Sequence, residues 1–278
     1  GGILYFVTSL FICRRKFASP KLEIDFNFLK TATKTALPFS FISIATIIYF
    51  RIDTVMLSVM KGATVVGWYN AAHILVFALD PIPVLFTAAL FPFMATSFIS
   101  SPNSLKTTYE RAQRYLLLLG LPLAVGTMLL SHRIILLFYG AQFAPATIGL
   151  QILAWHILLF FMYNLLGNVL ISINRQNQMA ITAGSCALIN VILNLALIPR
   201  FSYVGAAIAT VITEAILFTV YFNFASKYLY RLPFHRVIIK PSIACAAMAL
   251  FIHFCSGINL VALVVLAAVI YFAVLCLL

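Results

Sequence analysis

The chain consists of long apolar runs separated by short polar connections. Eight runs are long enough to cross a bilayer as helices, because a span needs roughly 20 apolar residues. They lie at about 36–60, 69–99, 115–138, 147–173, 178–198, 204–226, 237–255 and 259–278. A partial run covers residues 3–12, so we expect the chain to begin inside a span that starts upstream. The pattern predicts an all-α, polytopic membrane protein.

Composition supports this prediction. Apolar residues make up 64% of the chain and charged residues 9%, whereas an ordinary soluble domain is about 45–50% apolar and about 25% charged. A soluble surface with so few charges would expose large apolar patches, so a soluble domain is excluded. No loop is long enough to fold by itself, and the sequence has no phosphate-binding, zinc-protease or nucleophile-elbow motif. We therefore expect no enzyme activity, no cofactor and no metal.

Basic residues are concentrated in one set of alternating loops, within a net charge of +12. Cytoplasmic loops carry the excess of Lys and Arg in membrane proteins. We therefore predict the cytoplasmic membrane as the location, with the linker 13–35 and the C-terminus in the cytoplasm, and no nucleic-acid partner. The basic set is Arg14, Arg15, Lys16, Lys21, Lys30, Lys34, Lys106, Arg111, Arg114, Arg175, Lys227, Arg231, Arg236 and Lys240, against Lys61, Arg133 and Arg200 on the opposite side.

Arg51 and Asp53 lie deep in the first full span. An ionisable residue inside a span costs about 2.5–3.5 kcal/mol to insert and is therefore a candidate for function. Two residues apart on a helix, these side chains point roughly 200° apart and cannot pair well with each other. We expect at least one of them to reach another helix or water. A structural ion pair between helices is the alternative.

Asp80 and Glu214 are the other two carboxylates at membrane depth. Asn70, His73 and Asp80 fall within about 80° of one helix face, which predicts a polar stripe with Asn70 and His73 near the outer surface. Because Asp80 precedes Pro81, it either lines a hydrated pocket at a kink or caps the half-helix that follows. Glu214, a lone carboxylate in its span, is interpreted as a proton or cation site or as a structural hydrogen-bonding residue.

Two consecutive spans carry asparagines on one face. Side chains four residues apart share a helix face, so these residues predict interhelical hydrogen bonds worth about 0.6 kcal/mol each. Packing is the favoured role and ion coupling is the alternative. The residues are Asn164, Asn168 and Ser172 on one span and Thr182, Cys186, Asn190 and Asn194 on the next.

Several stretches of the chain together match one membrane family. They are Tyr49–Leu57, Gly67–Ala72, Ala89–Pro92, Asn168–Gln176, Asn190–Pro199 and Gly205–Thr210. These stretches resemble the lipid-linked oligosaccharide flippases of the multidrug/oligosaccharidyl-lipid/polysaccharide exporter superfamily. The resemblance implies two six-helix bundles around a central cavity, often with two added C-terminal helices. On that template, 1–12 is the end of a truncated transmembrane helix, 13–35 a cytoplasmic basic linker, 36–230 the C-terminal transport lobe and 231–278 two peripheral helices.

The function implied by the resemblance is the flipping of a polyprenyl-pyrophosphate-linked oligosaccharide for polysaccharide export (O-antigen, capsule or exopolysaccharide). Its implied partners are that lipid-linked sugar, the bilayer and an N-terminal lobe of the same protein. Arg51, Asp53, Asn70 and Asp80 are candidates for the substrate path, with Arg51 as the anion contact. The alternatives are a multidrug or cation antiporter of the same superfamily, a membrane-embedded glycan polymerase or ligase, and a scaffold that transports nothing.

Overall fold

A computed structural model describes residues 2–16, 25–230, 232, 234–255 and 257–278. Every element in these residues is a helix, which confirms the all-α prediction. The elements are α1 (Gly2–Lys16), α2 (Phe26–Lys61), α3 (Ala63–Phe77), α4 (Pro81–Ser100), α5 (Pro102–Tyr139), a 3₁₀ turn (Ala141–Phe143), α6 (Ala146–Ser172), α7 (Gln176–Tyr228), α8 (Phe234–Phe254) and α9 (Leu260–Leu277).

Within the described residues, six helical segments are long and apolar enough to cross a membrane. They are Ala63–Phe98, Asn103–Tyr139, Ala146–Ser172, Gln176–Tyr228, Val237–Phe254 and Leu260–Leu277. The expected spans 178–198 and 204–226 both lie within α7, which contains a kink. The expected span 36–60 lies in α2, where many side chains between residues 38 and 50 are outside the described set, as is linker segment 17–24.

The chain divides into two compact units, Gly1–Ser40 and Phe41–Leu278. The first comprises α1 and the beginning of α2, and its described apolar side chains, such as Leu4 and Phe28, are exposed. The second comprises the rest of α2 and helices α3 to α9. All the buried polar clusters described below lie in this second unit.

Helix α6 forms the centre of the second unit. It packs against α3, α4, α5 and α7, and it is more fully buried than the other spans. Leu150, Leu153 and Phe161 on α6 are inaccessible to solvent. Helices α8 and α9 pack against each other and against α5, where the Tyr271 hydroxyl donates to the Leu118 carbonyl at 2.9 Å.

Two breaks in the helices shape this unit. The first is the turn Ala78–Asp80 between α3 and α4, directly before Pro81, at the site where proline predicts a kink. The second lies within α7 at Ser202, whose backbone is non-helical (φ 56°, ψ −138°). The chain folds back so tightly there that a Cβ on Gly205 would lie 2.5 Å from the Leu197 carbonyl oxygen. Only glycine fits at position 205.

Candidate functional site

Asp53 on α2 is the centre of a buried hydrogen-bond cluster that joins three helices. The Tyr69 hydroxyl on α3 donates to Oδ2 at 2.9 Å, and the Thr210 hydroxyl on α7 donates to the same oxygen at 2.6 Å. Asn194 Nδ2, also on α7, donates to Oδ1 at 2.6 Å. Burying an isolated carboxylate is costly, and these three donors offset that cost. Asp53 therefore holds α2 against α3 and α7.

Asn190 and Asn194 extend this cluster along one face of α7. Asn194 Nδ2 donates to Asn190 Oδ1 at 3.0 Å. Both residues are fully buried, and within the described part of the chain Asn194 Oδ1 and Asn190 Nδ2 have no hydrogen-bond partner. The Asp53 cluster is thus rich in oxygen atoms and retains unused hydrogen-bonding capacity. Carboxylate, hydroxyl and amide oxygens are the ligands that hard cations prefer.

Arg51 lies on the opposite side of α2 from Asp53, as the helical spacing predicts. Its side chain is exposed, whereas Asp53 is buried. Among the described residues, the ion pairs all involve His156, so neither Arg51 nor Asp53 forms one. Asn70, half-buried on α3, accepts a hydrogen bond from the Thr54 hydroxyl at 3.3 Å.

Asp80 and Glu214 meet at a second cluster, on either side of His156. Asp80 Oδ1 lies 3.0 Å from His156 Nε2, and Glu214 Oε1 lies 2.5 Å from His156 Nδ1. The side chains of His156 and Glu214 are 0% exposed and that of Asp80 is 18% exposed. Asp80 occupies the N-cap position of α4 but makes no capping hydrogen bond. Its carboxylate pairs with the imidazole instead, and Glu214 is not a lone carboxylate.

The sequence pattern does not single out His156, although it is the residue that joins these two carboxylates. A usable signal is present, because an imidazole inside the apolar span 147–173 is an ionisable group at membrane depth, like Asp or Glu. The ring of His156 stacks on Phe77 with centroids 4.0 Å apart, and Phe77 stacks on His73 at 3.7 Å. His73 therefore belongs to an aromatic stack on α3 beside the second cluster.

A third cluster joins α4 to α6 through Thr87. Its hydroxyl donates to Asn164 Oδ1 at 2.7 Å and accepts from Asn168 Nδ2 at 3.3 Å. The asparagines of α6 therefore bond to α4, whereas Asn194 of α7 bonds to α2. Interhelical hydrogen bonding is present, but the two asparagine faces do not bond to each other, because each turns toward a different neighbouring helix.

Two of the curated proteins similar to this chain are named as flippases. The family model described as lipid II flippase MurJ matches residues 1–274. The probable low-salt glycan biosynthesis flippase Agl15 of Haloferax volcanii is 26% identical over 191 residues, which are 67% of this chain and 40% of that protein. The lipid II flippase MurJ of Bacillus subtilis is 28% identical over 188 residues, which are 63% of this chain and 35% of that protein.

The fold also matches a solved structure, that of the lipid II flippase MurJ in an inward closed conformation. The TM-score is 0.74 at 17% sequence identity, and the match covers 96% of this chain and 57% of the solved chain. The chain thus spans 35–40% of the length of the two curated relatives named above. The shared fold is that of the solved transporter over nearly the whole chain.

Proposed function

Since this chain belongs to the MurJ family of lipid II flippases, we propose that it forms one lobe of a transporter that moves a polyprenyl-linked glycan across the cytoplasmic membrane. The observation that carries the proposal is the family match over residues 1–274. The buried polar clusters of the second unit support it, because charged and amide side chains at membrane depth are typical of a transport lobe. The names of two relatives, a lipid II flippase and a glycan biosynthesis flippase, support this class of cargo.

The physical problem in such transport is the headgroup of the cargo. Sugars and a pyrophosphate cannot cross about 30 Å of hydrocarbon without a hydrated path. Transporters of this type move two bundles of helices about a central site. We therefore propose that this lobe works with an N-terminal lobe of the same protein, and that the cargo passes between the two.

Arg51 is the proposed contact for the pyrophosphate. Its guanidinium is always charged and can bind a phosphate group through two parallel hydrogen bonds. The side chain is exposed, while Asp53 fixes the same helix through its bonds to α3 and α7. We place Asp53, Asn70 and Asp80 along the same path as groups that position the helix or bond to sugar.

The Asp53 cluster is also the proposed site for a coupling cation. Its carboxylate, the Thr210 and Tyr69 hydroxyls and the Asn194 Oδ1 atom are oxygen ligands contributed by three helices. Moving one elementary charge through the membrane field is worth about 2.3 kcal/mol per 100 mV, which is enough to bias a transport cycle. Asn190 then supports the site through its bond to Asn194.

Complementation tests the proposal. The complete gene is expressed in a strain depleted of its own lipid II flippase and, separately, in strains lacking an O-antigen or capsule flippase. The wild-type gene should rescue one of these strains, Arg51→Ala should lose rescue despite normal insertion, and Arg51→Lys should keep part of it because the charge remains. Arg111→Ala, at an exposed arginine on α5, is the matched control and should rescue fully.

The strain that is rescued identifies the cargo, and the variants test the site. Equal rescue by all four genes would contradict the role of Arg51. If the gene rescues none of these strains but restores growth of a drug-sensitive strain in the presence of drug, the result would contradict the glycan proposal and favour the antiporter alternative.

A further inference from the structure

Asp80, His156 and Glu214 form a row of titratable groups that leads from a partly exposed position into the core. The Asp80 side chain is 18% exposed, and those of His156 and Glu214 are fully buried. Hydrogen bonds of 3.0 Å and 2.5 Å link the three side chains through the two ring nitrogens. The row connects the α3–α4 turn to α6 and α6 to α7.

The geometry sets the smallest number of protons that this row holds. Both ring nitrogens face carboxylate oxygens, so each of the two hydrogen bonds needs a proton. A neutral imidazole has only one N–H, so the second proton lies on the ring or on one of the carboxyl groups. With this minimum of two protons, the three groups carry a net charge of −1 in either arrangement.

Part of this negative charge lies on a buried carboxylate oxygen of Glu214. Within the described residues, Glu214 Oε2 is buried and has no hydrogen bond. An unpaired charge is costly to bury, whereas the neutral form of the same group is far less so. A third proton would make all three groups neutral.

We propose that Asp80, His156 and Glu214 form a proton-binding relay that is separate from the Asp53 cluster. A proton from water binds the Asp80 carboxylate, and the Nδ1 proton of the imidazolium passes to Glu214 Oε1. The ring is left neutral and keeps its Nε2 proton, which it still donates to Asp80. One proton is taken up in total, and the reverse steps release it.

Proton uptake changes the strength of two contacts between helices. Hydrogen bonds between charged partners are roughly twice as strong as those between neutral partners. Neutralisation therefore weakens both the bond from the α3–α4 turn to α6 and the bond from α6 to α7. In the turn Ala78–Asp80, directly before Pro81, the amides of Leu79 and Asp80 donate to carbonyls only three residues earlier, at 3.1 and 3.2 Å. Such bonds have poorer geometry than those of an α-helix, so this turn is the segment that would loosen first.

Other titratable and charged groups lie on the helices around the relay but are not members of it. The titratable groups that interact electrostatically with it include His73 and Tyr69 on α3, Tyr163 on α6 and Asp53 on α2, and the permanently charged Arg51 interacts with His73. Helix α4 has no titratable residue. On α5, His132 lies 3.4 Å from the Thr147 hydroxyl and Arg133 bonds to the Ile258 carbonyl, away from the relay.

Infrared difference spectroscopy tests proton uptake. The protein, expressed from its complete gene in lipid nanodiscs, is acidified stepwise while the band of protonated carboxyl groups is recorded. We expect the wild-type band to contain a component that is absent from Glu214→Gln and from Asp80→Asn, because either variant leaves the remaining two groups neutral overall. Carboxyl groups outside the relay contribute to all the spectra and cancel in the wild-type-minus-variant difference. The relay component should persist in Glu110→Gln and His73→Gln, which change titratable groups outside the relay.

Persistence of this component in either Glu214→Gln or Asp80→Asn, or its absence from the wild type, would overturn the proposal. Hydrogen–deuterium exchange in the wild type is a second test that needs no variant. After correction for intrinsic rates, amides 78–80 should exchange about fivefold faster on acidification, and unchanged protection would contradict the relay. The binding of this proton does not depend on the proposed function, whereas its use to drive transport does. Failed complementation would therefore contradict the proposed function alone, and a failed infrared test would contradict the relay alone.

Discussion

Polar side chains in the second unit differ in whether a hydrogen-bond partner lies on another helix. Thr87 on α4 and Thr219 on α7 illustrate the difference. The Thr219 hydroxyl is exposed and donates to the Ala215 carbonyl of its own helix at 2.7 Å. The Thr87 hydroxyl is buried, lies 2.8 Å from the Pro83 carbonyl oxygen of its own helix, and bonds to Asn164 and Asn168 on α6.

Thr87→Val should therefore destabilise the protein. Valine has nearly the same shape but no hydroxyl, so Asn164 and Asn168 lose their partner in the core. We expect a loss of about 1–3 kcal/mol in the free energy of unfolding, measured by thermal denaturation in detergent. Thr219→Val removes a bond within its own helix and should have little effect, and equal losses in the two variants would contradict the role of the α4–α6 contact.

Helical geometry predicts on which side of a helix a residue lies but not which residue it meets. The spacing of Arg51 and Asp53 predicts that they separate, and they do. It cannot predict Tyr69 or Thr210 as partners, because these lie 16 and 157 residues away from Asp53 and meet it only after folding. Asp80 is ambiguous for the same reason: the local sequence shows the cap position, while its partner His156 is 76 residues away.

At the scale of elements, the fold-back inside α7 determines where its two halves lie. Pro199 and Ser202 interrupt the helix, and Gly205 allows the second half to pass close to the Leu197 carbonyl. The second half then places Thr210 and Glu214 in the two buried clusters. The kink therefore positions both sites.

Gly205→Ala should disturb both clusters from a distance. The added Cβ would lie 2.5 Å from a backbone oxygen, so the chain must shift. We expect a loss of several kcal/mol in stability, about 3 or more, because backbone rather than a flexible side chain must give way. Gly126→Ala on α5 is the control: a Cβ there meets nothing within 4 Å, and alanine should stabilise the helix by about 0.5–1 kcal/mol.

Denaturation midpoints of the two glycine variants, measured side by side in detergent, check this prediction. Equal midpoints would contradict the close approach at Gly205.

Hydropathy predicts the elements well because apolar length is a local property. The run 178–198 ends just before the kink and the run 204–226 begins just after it. The prolines near residue 81 predict the break before α4. The non-helical backbone at Ser202 divides α7 into two helical halves, which correspond to the two expected spans.

For the molecule as a whole, basic side chains lie at opposite ends of the second unit according to their loop set. In the predicted cytoplasmic set, Lys106 lies 3.7 Å from the Tyr230 ring centroid and Arg175 lies 4.0 Å from that of Tyr228. In the opposite set, Lys61 bonds to the Pro199 carbonyl at 3.0 Å. The orientation of the second unit in the membrane remains a prediction from these charges.

Cysteine labelling tests that orientation. In a variant without native cysteines, Asn177→Cys should react with a membrane-impermeant maleimide only after the cells are permeabilised, and Gln142→Cys should react in intact cells. Both positions are exposed and lie at opposite ends of α6. The reverse pattern would contradict the positive-inside assignment.

The central position of α6 also bears on biosynthesis. Residues enter the membrane in order, so α6 is inserted before α7 has been made. Until residue 214 arrives, the imidazole of His156 has only Asp80 as a partner, and Asp53 has neither Asn194 nor Thr210. Completion of α7 is therefore the step at which the polar groups of a nascent chain become fully paired, and a ribosome that stalls before it leaves a product in which Asp53 and His156 lack their partners on α7.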